Sequence, residues 1–193
     1  MTYDPHKHNR QSNRLKGYDY ASPGFYFVTI CTYQRQCLFG NINGGKMKLN
    51  KYGRLARDEW QHTESIREHV QLDAFIIMPN HMHGIVRIIN SNDFVGPYDD
   101  TPLQNTNQQL NINPEKQTEF KSPSKTLGAI VRGYKSTVTK QINQLRNTPG
   151  QKLWQRNYHD HIIRDEASLQ RIRYYIQYNP KQWDEDRNNP QNF

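Results

Sequence analysis

Residues 72–89 read LDAFIIMPNHMHGIVRII. Leu72–Met78 and His81–Ile89 are short apolar runs rich in β-branched residues, and Pro79–Asn80 interrupts them. Runs this short favour buried strands over helices, and Pro–Asn is turn chemistry. Two strands joined by a tight turn are therefore expected. Working outward, Phe25–Tyr33 (FYFVTICTY) predicts another strand. Asn41–Gly45 is a turn signal, with a short strand at Lys46–Leu49. Tyr52–His69 spaces Leu55, Trp60 and Ile66 among charges, as a helix does. Ser124–Leu145 is the strongest helix, with Ser124 as its cap and Leu127, Ile130, Val131, Tyr134, Val138, Ile142 and Leu145 as one apolar stripe. Lys152–Arg164 contains a strand with His159, His161 and Ile163 on one side, and Asp160 and Ile162 on the other. A last helix starts at Asp165 or Ser168. It is expected to stop at Asn179, because Pro180 biases the preceding residue away from helical backbone. The order strand, strand, helix, strand, strand, helix, strand, helix predicts an α+β sandwich: a mostly antiparallel sheet with helices packed on one face.

The chain has 193 residues, of which 34% are hydrophobic, so one core is expected rather than two. Mean hydropathy is -1.04, and no apolar run approaches the ~18 residues of a membrane span. No membrane partner is expected. Met1–Asn13 is polar with no apolar stretch, so no secretory signal is expected either. Two cysteines, Cys31 and Cys37, cannot build a disulfide framework, and a cytoplasmic location follows as the simplest expectation. Residues 1–22 read as a basic arm, and 23–183 as the domain. Residues 91–122 carry three prolines and many Asn and Gln without any period, which predicts a flexible insertion. Residues 184–193 read as a polar tail. The net charge of +8 fits a polyanion partner.

Two constellations can carry chemistry. On a strand, His81 and His83 share a face, and two adjacent imidazoles can hold one divalent ion. The pattern also suits two surface histidines. Gly84 beside them leaves room for a backbone or a ligand to approach. In the last helix, Tyr175 and Asn179 stand four apart and share a face. An amide oxygen is a hard-metal ligand, and a tyrosine beside a metal suits covalent catalysis. Tyr174, Tyr175 and Tyr178 equally suit packing.

Taken together, the motifs resemble the REP-associated tyrosine transposases of the HUH nuclease superfamily. The matching stretches are Arg14–Tyr20 with Phe27–Thr32, Met78–Val86, Gly128–Lys135, Trp154–Arg164 and Tyr175–Pro180. The resemblance implies a ferredoxin-like fold with the histidine pair on a central strand. It implies that His81, His83 and Asn179 hold a divalent metal, Mg²⁺ or Mn²⁺, and that Tyr175 is the catalytic nucleophile; the spacing to Asn179 favours Tyr175 over Tyr174. The implied activity is cutting and rejoining single-stranded DNA, next to a hairpin, through a 5′-phosphotyrosine. A hairpin-DNA-binding protein without cleavage activity is the alternative. Both a homodimer and a monomer are compatible with it. Basic residues track a DNA backbone, which assigns DNA contacts to Arg14, Lys16, Arg132 and Lys135.

Overall fold

The computed structural model describes residues 14–90 and 125–192. The 91–122 insertion, Ser124 and residues 1–13 of the basic arm lie outside the described residues. The main sheet has four strands: β1 (Gly24–Cys31), β4 (Val70–Ile77), β5 (His81–Ile88) and β6 (His159–Ile163). Their order is β4-β5-β1-β6, and every neighbouring pair is antiparallel. Helix α1 (Lys51–Ser65) connects β1 to β4, and α2 (Leu127–Arg146) lies between β5 and β6. This interleaved strand–helix–strand pairing is the ferredoxin-like arrangement expected above. A separate hairpin, β2 (Gly40–Asn43) and β3 (Lys46–Leu49), precedes α1. The stretch read as a turn from Asn41 is mostly strand β2, and the reversal falls on Gly44 and Gly45, both at positive φ.

Local chemistry accounts for the helix boundaries. The Asn50 carboxamide accepts from the backbone N–H groups of Tyr52 and Gly53 and caps α1. Thr126, not Ser124, caps α2: its hydroxyl accepts from the Ala129 N–H, which moves the helix start to Leu127. Asn147 closes α2 in the left-handed conformation at φ 53°.

The strands alternate between two cores. Tyr26, Val28 and Ile30 of β1 and Met82, Val86 and Ile88 of β5 meet α1 and α2 in the main core. Phe27, Ile85 and Ile163 face the other way and meet Leu169 and Ile176 of α3 (Glu166–Tyr178). The α+β class and the antiparallel sheet with packed helices hold. The single helical face describes α1 and α2, while α3 covers part of the opposite face. Gly84 gives its space to neither backbone nor ligand. A Cβ there would sit 2.8 Å from Cζ2 of the fully buried Trp60, so the glycine admits the α1 indole into the main core.

Only Arg164 and Asp165 link β6 to α3, and Asp165 caps α3 by accepting from the Ser168 N–H. On its far side α3 is tied to β4, where the Arg173 guanidinium donates to both carboxylate oxygens of Asp73. Burial raises the Asp73 carboxyl, but Arg173 and the Ala74 N–H more than offset it, so its pKa lies below the usual carboxylate value. Its stabilising contribution is complete above the unfolded value, about 3.9, and is lost as pH falls through the depressed one. Asp73→Asn is expected to cost about 2 kcal/mol at neutral pH. Urea unfolding should show that gap closing in strong acid. An equal gap at every pH contradicts the ion pair as its source.

Candidate metal and nucleophile site

Strand periodicity places His81 and His83 on the α3 face of β5, and both are buried. Their Nε2 atoms are 3.1 Å apart. Each ring is oriented from behind. The Asn80 carboxamide donates to the carbonyls of Arg35 (3.0 Å) and Asn188 (2.7 Å), leaving its oxygen to accept from His81 Nδ1 at 2.8 Å. Thr29, the register partner of His83 on β1, pairs its hydroxyl with His83 Nδ1 at 2.8 Å. With Nδ1 carrying the proton, both Nε2 lone pairs point at one another. Such an arrangement is repulsive unless a proton or a cation lies between them, and it matches the outer partners of metal-bound histidine.

Burial pushes both imidazoles below the usual histidine value. His81 falls to about 4 despite the nearby Asp186 carboxylate, and His83 is lowered further by His81 itself. Both are neutral at pH 7, the form in which imidazole binds a metal.

Two oxygens complete the donor set. Asn179 is buried, and its Oδ1 has no hydrogen-bond partner; the same is true of Asp186 Oδ2. Asp186 Oδ2 lies 3.7 Å from His81 Nε2, and ligating atoms of His81, His83 and Asp186 all fall within 4.8 Å of one another. An orphaned buried oxygen is costly, and two of them beside converging imidazoles form a cradle a divalent cation fits. The group can hold a metal.

Asn179 stands beside His81 and Tyr175, on the helix face its spacing predicts, but with a backbone conformation that differs from the expected one. Pro180 does not expel it from helical space: Asn179 has φ -53° and ψ -40°, and the chain runs on as a 3-10 helix through Asn179–Glu185. The i→i−3 bond from Asn179 N–H to the Ile176 carbonyl makes this tightening, and proline fits the first turn of the new helix. The side chain thus stays on the track of Tyr175, one turn back.

The Tyr175 hydroxyl lies 3.2 Å from His83 Nε2. The ring is 37% exposed and lies edge-on to Phe27 and His83. Burial, reinforced by Asp186, raises its phenol above the ordinary value even though Arg187 and Asn179 oppose the shift. Tyr174 points away, stacks on Tyr178 at 4.1 Å and is 59% exposed.

The basic residues divide. Lys16 and Arg132 are exposed. The Arg14 guanidinium sits between the Tyr20 and Tyr158 rings, at 5.3 and 5.2 Å, and donates to the Tyr158 hydroxyl. Lys135 donates to the Gln155 and Arg156 carbonyls. Both are tied to neighbouring segments, Arg14 from an exposed position and Lys135 from a partly buried one. Arg132 and Lys135 belong to α2, on the face opposite the imidazoles.

Sequence reasoning missed Asp186, Asn80, Thr29 and Trp183, whose indole stacks on His81 at 6.1 Å. The stretch read as a polar tail after 183 is folded: Asp186, Asn188 and Asn189 are buried, and a short 3-10 turn follows at Pro190–Asn192. Asp186 sits in the run Asp184–Glu185–Asp186, where no spacing marks one carboxylate over its neighbours.

Among the described residues, no helix is long and apolar enough to cross a membrane. No family model matches the chain. A solved structure of a REP-associated tyrosine transposase bound to a REP hairpin aligns at TM-score 0.49 and 16% identity, over 88% of this chain and 73% of that one. A crystal structure of a putative transposase from Deinococcus radiodurans aligns at TM-score 0.44 and 14% identity, over 85% and 96%. An uncharacterized protein of Haemophilus influenzae (strain ATCC 51907 / DSM 11121 / KW20 / Rd) is 43% identical over 184 residues, 95% of each chain. The chain belongs to the same family as that Haemophilus influenzae protein.

Proposed function

We propose that the chain is a metal-dependent tyrosine transposase that cuts and rejoins single-stranded DNA, next to a hairpin, through a 5′-phosphotyrosine on Tyr175. The observation that carries this reading is the meeting of one phenol with two converging imidazoles and two orphaned oxygens. His81, His83, Asn179 and Asp186 are the residues that would hold Mg²⁺ or Mn²⁺. The bound ion would supply Lewis-acid polarisation of the scissile phosphate and charge stabilisation as the bond exchanges.

The chain supplies the rest. Tyr175 is the nucleophile, held in place by Phe27, His83 and the α3 backbone. Its oxygen bonds to phosphorus as the bond to the 3′ oxygen breaks. The phenol gives up a proton and the departing strand gains one as a 3′-OH. One phosphodiester replaces another, so the step needs no ATP and reverses when a 3′-OH attacks the phosphotyrosine. Lys16 and Arg132 contact the DNA backbone directly. Arg14 and Lys135 act through the segments they pin.

The test is incubation with Mn²⁺ and labelled single-stranded oligonucleotides drawn from inverted repeats flanking the gene. A denaturant-resistant protein–DNA adduct is expected. Hairpin binding with no adduct favours the non-cleaving alternative, and free 5′-phosphate released without an adduct makes the protein a hydrolase.

A further inference from the structure

The cleft between α2 and residues 149–156 takes no part in the site above. It is an open cleft of about 840 Å³, a size common to small-ligand sites. Buried Leu153 and Trp154 line it along with Lys135, Lys140, Lys152 and Arg156, and no aspartate or glutamate is among its lining residues. Its walls are braced internally. Lys135 Nζ donates to the Gln155 and Arg156 carbonyls at 2.6 and 3.1 Å. Trp154 Nε1 donates to the Lys135 carbonyl at 3.2 Å, and Asn143 Nδ2 to the Gln151 carbonyl at 2.8 Å. Lys140, Lys152 and Arg156 are exposed and make no ion pair among the described residues.

The position of the cleft matters as much as its charge. It lies on the α2 face of the sheet, opposite the imidazoles, and reaches the sheet end at which β5 begins with His81. Thr32 bridges to Trp154, the Gln155 N–H donates to the Cys31 carbonyl at 2.9 Å, and Cys31 is the register partner of His81. Two interstrand spacings, roughly 10 Å, therefore separate the His81 backbone from that of Gln155.

The geometry points to a seat for one unpaired base of the strand entering the metal site, its flanking phosphates on Lys140, Lys152 and Arg156. This rests on the strand-cleavage reading. A concave apolar floor accepts a base, and the exposed amides of Gln144, Asn147 and Gln151 in the lining offer donors and acceptors to its edge. The cationic rim, free of carboxylates, is complementary to phosphate.

Fluorescence anisotropy with an oligothymidylate of about twelve nucleotides, and with an abasic oligomer of equal length, tests the seat. Wild type should prefer the base-bearing oligomer by about tenfold, the order of one seated base. Ser136→Trp, which fills the cleft from an exposed position on α2, should erase that preference. Lys140→Glu/Lys152→Glu should weaken both oligomers and reduce the log–log salt slope by about 1.4. A preference intact in Ser136→Trp, or a salt slope unmoved in the double variant, overturns the seat. Wild type that binds as described yet forms no adduct sinks the cleavage reading and leaves the seat. Adduct formation with the preference intact in Ser136→Trp does the reverse.

Discussion

Tyr175→Phe is expected to lower covalent adduct formation by at least about a thousandfold, the scale of removing an enzymic nucleophile. The substitution deletes one oxygen and keeps the ring. The contacts of that ring with Phe27 and His83 survive, so folding and DNA affinity should change little. Only the hydroxyl 3.2 Å from His83 Nε2 is lost. The comparison that isolates it is Tyr174→Phe, which alters an exposed ring stacked on Tyr178 and should leave the adduct yield intact. If Tyr175→Phe forms the adduct at the wild-type rate, the nucleophile lies elsewhere.

His83→Gln is expected to weaken Mn²⁺ binding by at least about a hundredfold, since changes to outer partners of a metal site already reach that scale. Titration calorimetry reads the affinity directly. Thermal unfolding gives a second readout: saturating Mn²⁺ should raise the stability of the wild type by about 2.7 kcal/mol at a hundred times its Kd, and leave the variant nearly unmoved. Without metal the variant loses the buried imidazole paired with the Thr29 hydroxyl, so it should be less stable than wild type by about 1 kcal/mol. Equal Mn²⁺ affinity in both proteins removes the histidine pair from the site.

Much of this arrangement was legible in the sequence because it depends on short periods. A spacing of two puts His81 and His83 on one face of a strand, and a spacing of four puts Tyr175 and Asn179 on one face of a helix. The order of strand-like and helical runs predicted a mostly antiparallel sheet with packed helices, whereas the ferredoxin-like form came only as what the resemblance implies. What stayed hidden depends on contacts far apart in the chain. Thr29 meets His83 only through the register of β1 with β5. Asp186 meets His81 only because residues 184–192 fold back, held by the bond from Asn80 to the Asn188 carbonyl. Asn80 itself read as turn punctuation, though its carboxamide serves three partners at once. The rule for residues preceding proline placed the end of α3 correctly, at Tyr178, but misjudged the backbone of Asn179, which stays helical because a 3-10 helix takes over at Asn179–Glu185.

The two-residue connection between β6 and α3 has a consequence for any assembly of these chains. Three Cα–Cα steps separate Ile163 from Glu166, about 11 Å when fully extended, a short reach for carrying a helix onto a neighbour's sheet. We therefore predict that each copy uses its own phenol and that any sites brought together in an assembly act independently. Mixing Tyr175→Phe chains with His83→Gln chains should restore nothing; recovered adduct formation in the mixture would show that helices trade places between subunits.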